Sequence, residues 1–166
     1  MAWLHPITIS AGLSGLIAAS VTLLLYSRVF SSEPLPSTRF LMRLRDTDQP
    51  PYEVGGTIVY VAYGGLVGAV YPWTFRGLLG LAGSWITILP NTLLTGLVFG
   101  GLLLGPWAGL RAFGLLEPPL SPGTGFDTEQ DERKYLTMVG FHVVYGLGLG
   151  VLVGLSETLW YPFLGA

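Results

Sequence analysis

The sequence predicts an all-α fold: a polytopic transmembrane helical bundle of four helices, arranged as a tandem parallel two-helix repeat. Three observations predict it. Long apolar runs alternate with proline-rich polar stretches. Glycines recur at four-residue spacing inside those runs. The two halves of the chain resemble each other at a nearly constant offset. Composition sets the frame. Apolar residues make up 51% of the 166, charged residues only 11%, and the mean hydropathy is +0.59. An ordinary soluble domain carries roughly 25% charged residues. Most of the 24 glycines lie within apolar runs, as in membrane helices that pack closely.

The first run is residues 7–30. As a helix it would be roughly 36 Å long, enough to cross a hydrocarbon core of about 30 Å. Residues 1–6 hold no Lys or Arg, so the cationic start of a signal peptide is missing. A retained first helix is expected. The polar stretch 31–52 carries prolines at 34, 36, 50 and 51. The second run, 54–75, closes on Pro72 with Tyr71 and Trp73 beside it, aromatics suited to a membrane interface.

The apolar stretch 77–110 is too long for one ordinary span, and Pro90 and Asn91 interrupt it. The third helix is therefore placed at 90–112. Residues 77–89 become an interfacial or re-entrant linker. A five-span reading would need two cramped helices. A polar loop with Pro118, Pro119 and Pro122 follows. The fourth helix is placed at 133–160, with Thr128 and Asp131 forming a start like a capping box. The chain thus divides into a first repeat (1–76), the linker (77–89) and a second repeat (90–166).

The repeat shows in matched segments. Ser14-Gly15-Leu16-Ile17 parallels Thr95-Gly96-Leu97-Val98. Glu33-Pro34-Leu35-Pro36-Ser37 parallels Glu117-Pro118-Pro119-Leu120-Ser121. Tyr60-Val61-Ala62-Tyr63-Gly64 parallels His142-Val143-Val144-Tyr145-Gly146, and Gly68 parallels Gly150. The offsets are 81, 84 and 82. Apolar bias alone does not produce matched polar loops. Each copy runs helix, Glu-Pro loop, helix in one orientation, a parallel repeat about the membrane normal.

Basic residues sort by side. Arg28, Arg39, Arg43, Arg45, Arg111, Arg133 and Lys134 lie in or beside the first and third loops, and Arg76 lies on the other side. The positive-inside rule then puts loops 31–52 and 113–132 in the cytoplasm and both termini outside. Arg39, Arg43 and Arg45 alternate with apolar residues, a pattern that can lie on the bilayer and meet lipid headgroups.

Small-residue stripes are the expected helix-packing surfaces. They comprise Ala11, Gly15, Ala18, Ala19 and Thr22 in the first helix, and Gly56, Gly64 and Gly68 in the second. The third carries Gly101, Gly105 and Gly109, and the fourth Gly146, Gly150 and Gly154. Lipid supplies little hydrophobic drive between helices, so association relies on the close approach such residues allow. The bland reading, packing within the four helices, is preferred over an oligomer seam or pore lining.

Two ionisable residues fall in the fourth helix. At about 100° per residue, His142, Gly146, Gly150, Gly154 and Glu157 share one face within about 120°. That face is expected to point into protein. His142 and Glu157 are roughly 22 Å apart along the axis. They mark a possible transport path or an interhelical polar site, together with Asn91 at the broken segment. Simple hydrogen bonding and access to the interface are the plainer roles.

Other chemistry finds no support. The chain has no Cys and only two His, and lacks H-E-x-x-H and a phosphate loop. His5 and His142 map to opposite sides, so paired haem ligation is not expected. Ser156 and His142 lie too far apart for a serine nucleophile and its base. Asp127, Glu129, Asp131 and Glu132 read as a solvated helix start rather than a cation site. No cofactor, metal or enzymatic activity is expected, and the net charge of -2 suggests no nucleic-acid partner.

Ala11-Gly12-Leu13-Ser14-Gly15, with His142-Val143-Val144-Tyr145-Gly146 and Gly150, resembles uncharacterised four-helix membrane proteins of the YagU-like kind. The resemblance implies a four-helix bundle and no defined activity. A prokaryotic cell membrane is the expected setting. The expected role is that of a non-enzymatic accessory or scaffold subunit, or a homo-oligomer. A small transporter or channel is the alternative. Membrane lipids and other membrane subunits are the expected partners.

Overall fold

The computed structural model describes residues 6–29, 35–44, 53–106 and 129–160, and these are helical apart from short connections. Helix α1 is Pro6–Val29. Helix α2, Pro36–Leu44, lies in the first polar stretch. Helix α3, Glu53–Pro72, runs on into a π-helical segment, Trp73–Leu78. A single turn, α4, covers Ser84–Thr87. Helix α5 is Asn91–Leu102, and α6 is Glu129–Trp160. Three stretches are long and apolar enough to cross a membrane: Pro6–Arg28, Val54–Leu78 and Met138–Leu159.

Three expectations need correction or narrowing. Pro72 does not close the second helix. Proline cannot donate the i→i−4 hydrogen bond and crowds the preceding turn. Here the chain stays helical and widens into π turns, which place Phe75 in the core. The third apolar helix is described over Asn91–Pro106, shorter than the other three. Its 16 residues reach about 24 Å, short of a full crossing. Residues 107–112 of the expected span lie outside the described residues, as do Thr128 and Arg45. The stretch 31–52, expected as a loop, contains α2, which begins on Pro36. Proline suits the first helical position because its missing N–H would be unbonded there anyway.

The packing order follows from glycine. Helix α3 runs antiparallel to α1: Gly68 meets Ala11 and Gly64 meets Ala19. Helix α6 runs antiparallel to α5: Gly150 meets Thr92 and Gly100 meets His142. Helix α6 also lies along α1, with Gly148 beside Ala18 and the Tyr26 and Phe141 rings edge to face at 4.7 Å. The first polar stretch thus joins α1 to α3 at one end. At the other end stand the starts of α1 and α5, the tail of α3 and α4.

The burial pattern is inverted relative to a soluble protein. Ala11, Ala18, Ala19, Ser10, Ser14, Thr22, Thr92 and Thr95 are buried. Leu24, Ile58, Leu66, Leu94 and Leu159 are each more than half exposed. Contiguous apolar surface of this kind needs a partner other than water, and a hydrocarbon phase provides one. The largest fully buried side chains, Tyr71, Phe75 and Ile86, gather near the end that α4 occupies.

Candidate functional site

The tightest backbone-to-backbone contacts are two antiparallel crossings made by glycines. At the first, a Cβ on Gly15 would strike the Gly64 carbonyl and, at 2.9 Å, the Gly68 Cα. A Cβ on Gly68 would strike the Ala11 carbonyl. At the second, a Cβ on Gly96 would strike the Gly146 carbonyl and, at 2.9 Å, the Gly150 Cα. A Cβ on Gly150 would strike the Thr92 carbonyl, and one on Gly146 the Gly96 carbonyl. No side chain larger than hydrogen fits at these positions without moving a helix.

The glycines expected on the third helix do not take part. A Cβ on Gly101 or Gly105 would meet nothing within 4 Å. Contact runs instead through Gly96 and Gly100, one residue round the helix. The two stripes are about 100° apart, and only the Gly96–Gly100 stripe faces α6. Gly109 lies outside the described residues. Gly154 sits against Leu89 and Thr92, and Gly56 against Thr38 of α2.

Hydroxyl groups add directional bonds to these crossings. Ser156 Oγ donates to the Val153 carbonyl at 2.9 Å and accepts from Ser10 Oγ of α1 at 2.5 Å. Tyr145 donates from its phenol to the Gly64 carbonyl at 2.6 Å, tying α6 to α3 at the first crossing. Thr95 Oγ1 lies 2.5 Å from the Tyr71 phenol and 2.9 Å from the Trp85 carbonyl. A threonine hydroxyl has one proton. With that proton on the carbonyl, Tyr71 is the donor to Thr95. The relay joins α3, α4 and α5.

The sequence reading singled out glycine and ionisable residues and missed these hydroxyls. Their signal was present. Ser10, Thr95 and Ser156 are polar residues inside apolar runs, and Ser10 and Thr95 directly precede the small residues Ala11 and Gly96.

His142, Glu157 and Asn91 are not brought together as one site. His142 is half-buried, and its Nδ1 donates to the Met138 carbonyl at 2.9 Å. That bond places the proton of the neutral ring on Nδ1. Glu157 is half-buried near the opposite end of α6, beside Ser156. Between them the face is occupied by α5: Gly100 against the His142 carbonyl, Gly96 against Gly146, Thr92 against Gly150. Asn91 opens α5 and donates from Nδ2 to the Ser84 carbonyl at 3.3 Å, which holds α4 in place.

Of four buried hydroxyls without a conventional partner among the described residues, on Thr8, Ser37, Thr38 and Thr92, the last two lie at helix contacts. Each packs against a glycine of a neighbouring helix, Gly56 and Gly154 respectively. Weak Cα–H···O contacts are common where helices meet this closely. Among the described residues no group of three His, Cys, Asp or Glu is placed to hold a metal ion. Arg28 and Arg76 are exposed and belong to opposite ends of the molecule. No protein family, characterised protein or solved structure matches this chain.

Proposed function

We propose that this chain is an integral membrane protein that acts through helix packing, as an accessory or scaffold subunit or as a homo-oligomer. One observation carries the reading: the two glycine crossings correspond residue for residue. Ala11, Gly15 and Ala19 stand in α1 where Thr92, Gly96 and Gly100 stand in α5, at an offset of 81. Gly64 and Gly68 stand in α3 where Gly146 and Gly150 stand in α6, at an offset of 82. The same carbonyls are met in both pairs: Gly64 and Ala11 in one, Gly146 and Thr92 in the other. This supports a tandem repeat of a two-helix unit and a four-helix bundle. It also supports units 1–76 and 90–166 joined by 77–89.

The interior is occupied by backbone contact and by hydrogen-bonded hydroxyls such as Ser10, Thr95, Tyr145 and Ser156, while the outer surface is continuous apolar side chain. A molecule built this way offers surfaces to lipid and other helices rather than a reaction centre. The transport reading loses support because α5 fills the face between His142 and Glu157.

The test is the native mass after gentle extraction from the source membrane. A multiple of 17.8 kDa is the expected result for a homo-oligomer, and a larger assembly with other chains for an accessory subunit. A lone monomer whose solute flux disappears in Glu157→Gln or His142→Ala, with helicity retained, would overturn the proposal in favour of a transporter.

A further inference from the structure

We infer that α2 is an interfacial helix that binds anionic phospholipid headgroups of the leaflet at the α1–α3 loop end. This rests on the membrane-spanning reading of α1 and α3. Helix α2 is pinned to the first turns of α3: a Cβ on Gly56 would strike Thr38, and one on Gly55 would lie 3.4 Å from Leu41. Those turns open the apolar stretch Val54–Leu78. Helix α2 therefore sits at the level where a spanning helix enters the bilayer.

Its sequence has three sides at helical spacing. Thr38, Leu41 and Met42 fall on the side that the Thr38 and Leu41 contacts turn toward α3. Positions 39 and 43, both Arg, fall on a second side, about 130° round the helix from the first. Phe40 and Leu44 fall between, and Leu44 is 62% exposed. An apolar edge beside an arginine edge is the pattern of a helix lying in the headgroup region. Exposed Arg28 closes α1 at this same end. Three arginines at one boundary match phosphate in charge. Guanidinium also binds phosphate through paired hydrogen bonds. Arginines near an anionic leaflet are drawn to its surface potential. A ligand that binds only the folded protein raises its stability.

The experiment measures thermal unfolding of the full chain in detergent micelles doped with phosphatidylglycerol or phosphatidylcholine. The expected result is a midpoint rise of about 3 °C with phosphatidylglycerol over phosphatidylcholine. Arg76→Gln, at the opposite end, should keep that rise. The triple variant Arg28→Gln, Arg39→Gln, Arg43→Gln should lose most of it. Equal rises in the two lipids, an unchanged rise in the triple variant, or the same rise with inorganic phosphate alone would overturn the inference. Should the triple variant not fold, native mass spectrometry of the unaltered protein decides. Preferential retention of phosphatidylglycerol supports the inference, and no preference overturns it. Carbonate extraction of membranes tests the spanning reading separately, because a protein that resists extraction yet shows no lipid preference fails only here.

Discussion

At the scale of single residues, glycine position rather than glycine number decides what a substitution does. Gly15, Gly68, Gly96 and Gly146 have backbone from another helix where a Cβ would go. Gly101 and Gly105 face open space. Replacement by Ala at the first four should each cost about 1–3 kcal/mol, the range for overpacking a close contact. Gly101→Ala should be neutral or stabilising by up to about 1 kcal/mol, since it lowers backbone entropy without a clash. Unfolding in mixed micelles by titrated denaturing detergent compares them, and equal losses at Gly101 and Gly146 would contradict the crossings. Tyr145→Phe removes the bond to the Gly64 carbonyl. Interhelical hydrogen bonds in membranes average about 0.6 kcal/mol, so a loss of about that size is expected in the same assay.

Among the elements, the segment between α3 and α5 depends most on its surroundings. A one-turn helix has no stability of its own. Helix α4 is held by Ile86, fully buried, by the Thr95 bond to the Trp85 carbonyl, and by the Asn91 bond to the Ser84 carbonyl. Leu81 adds a backbone bond to the Phe75 carbonyl at 2.9 Å, just past the π turns. Thr95→Val should cut the relay and cost about 1–2 kcal/mol. Its signature should be local: faster amide exchange in residues 84–88, with α1 and α3 unaffected. Uniform acceleration over all helices would show that α4 is not separately anchored. Asn91 was legible in the sequence as a polar break. Its partner was not, because the Ser84 carbonyl comes near only through the fold of the intervening turn.

Across the whole molecule, the two glycine crossings match each other and the contacts between the two helix pairs do not. Helices α1 and α6 meet closely through Ser10, Ala18, Gly148 and Ser156. The corresponding pair, α3 and α5, meets through rings: Tyr71 lies 5.3 Å from both Phe75 and Phe99. At the offsets of 81 and 82, Val153, Glu157 and Ala18 stand where Tyr71, Phe75 and Phe99 do. Large rings thus wedge one pair apart while small side chains let the other close. Topology is testable because the chain has no native cysteine. Single cysteines at Ser32 and Ser121 should label from the cytoplasm and one at Ala82 from outside, with impermeant maleimide. Labelling of 32 and 82 from one side would refute the arrangement.

The sequence by itself determined the class of the protein. Apolar runs without charge, interrupted by proline-rich polar stretches, admit a helical membrane protein because a spanning backbone must bond itself. It also carried the glycine registers of α1, α3 and α6, since a four-residue period is a property of a single helix. Tertiary structure decided the rest. Which of two stripes on α5 meets α6 depends on helix rotation, which local periodicity does not encode. Whether Pro72 ends α3 or is carried into π turns depends on Phe75 finding a place beside Tyr71 and Phe99. Whether His142 and Glu157 share an open lane depends on a neighbour's backbone, and Gly96 and Gly100 let that backbone close upon it.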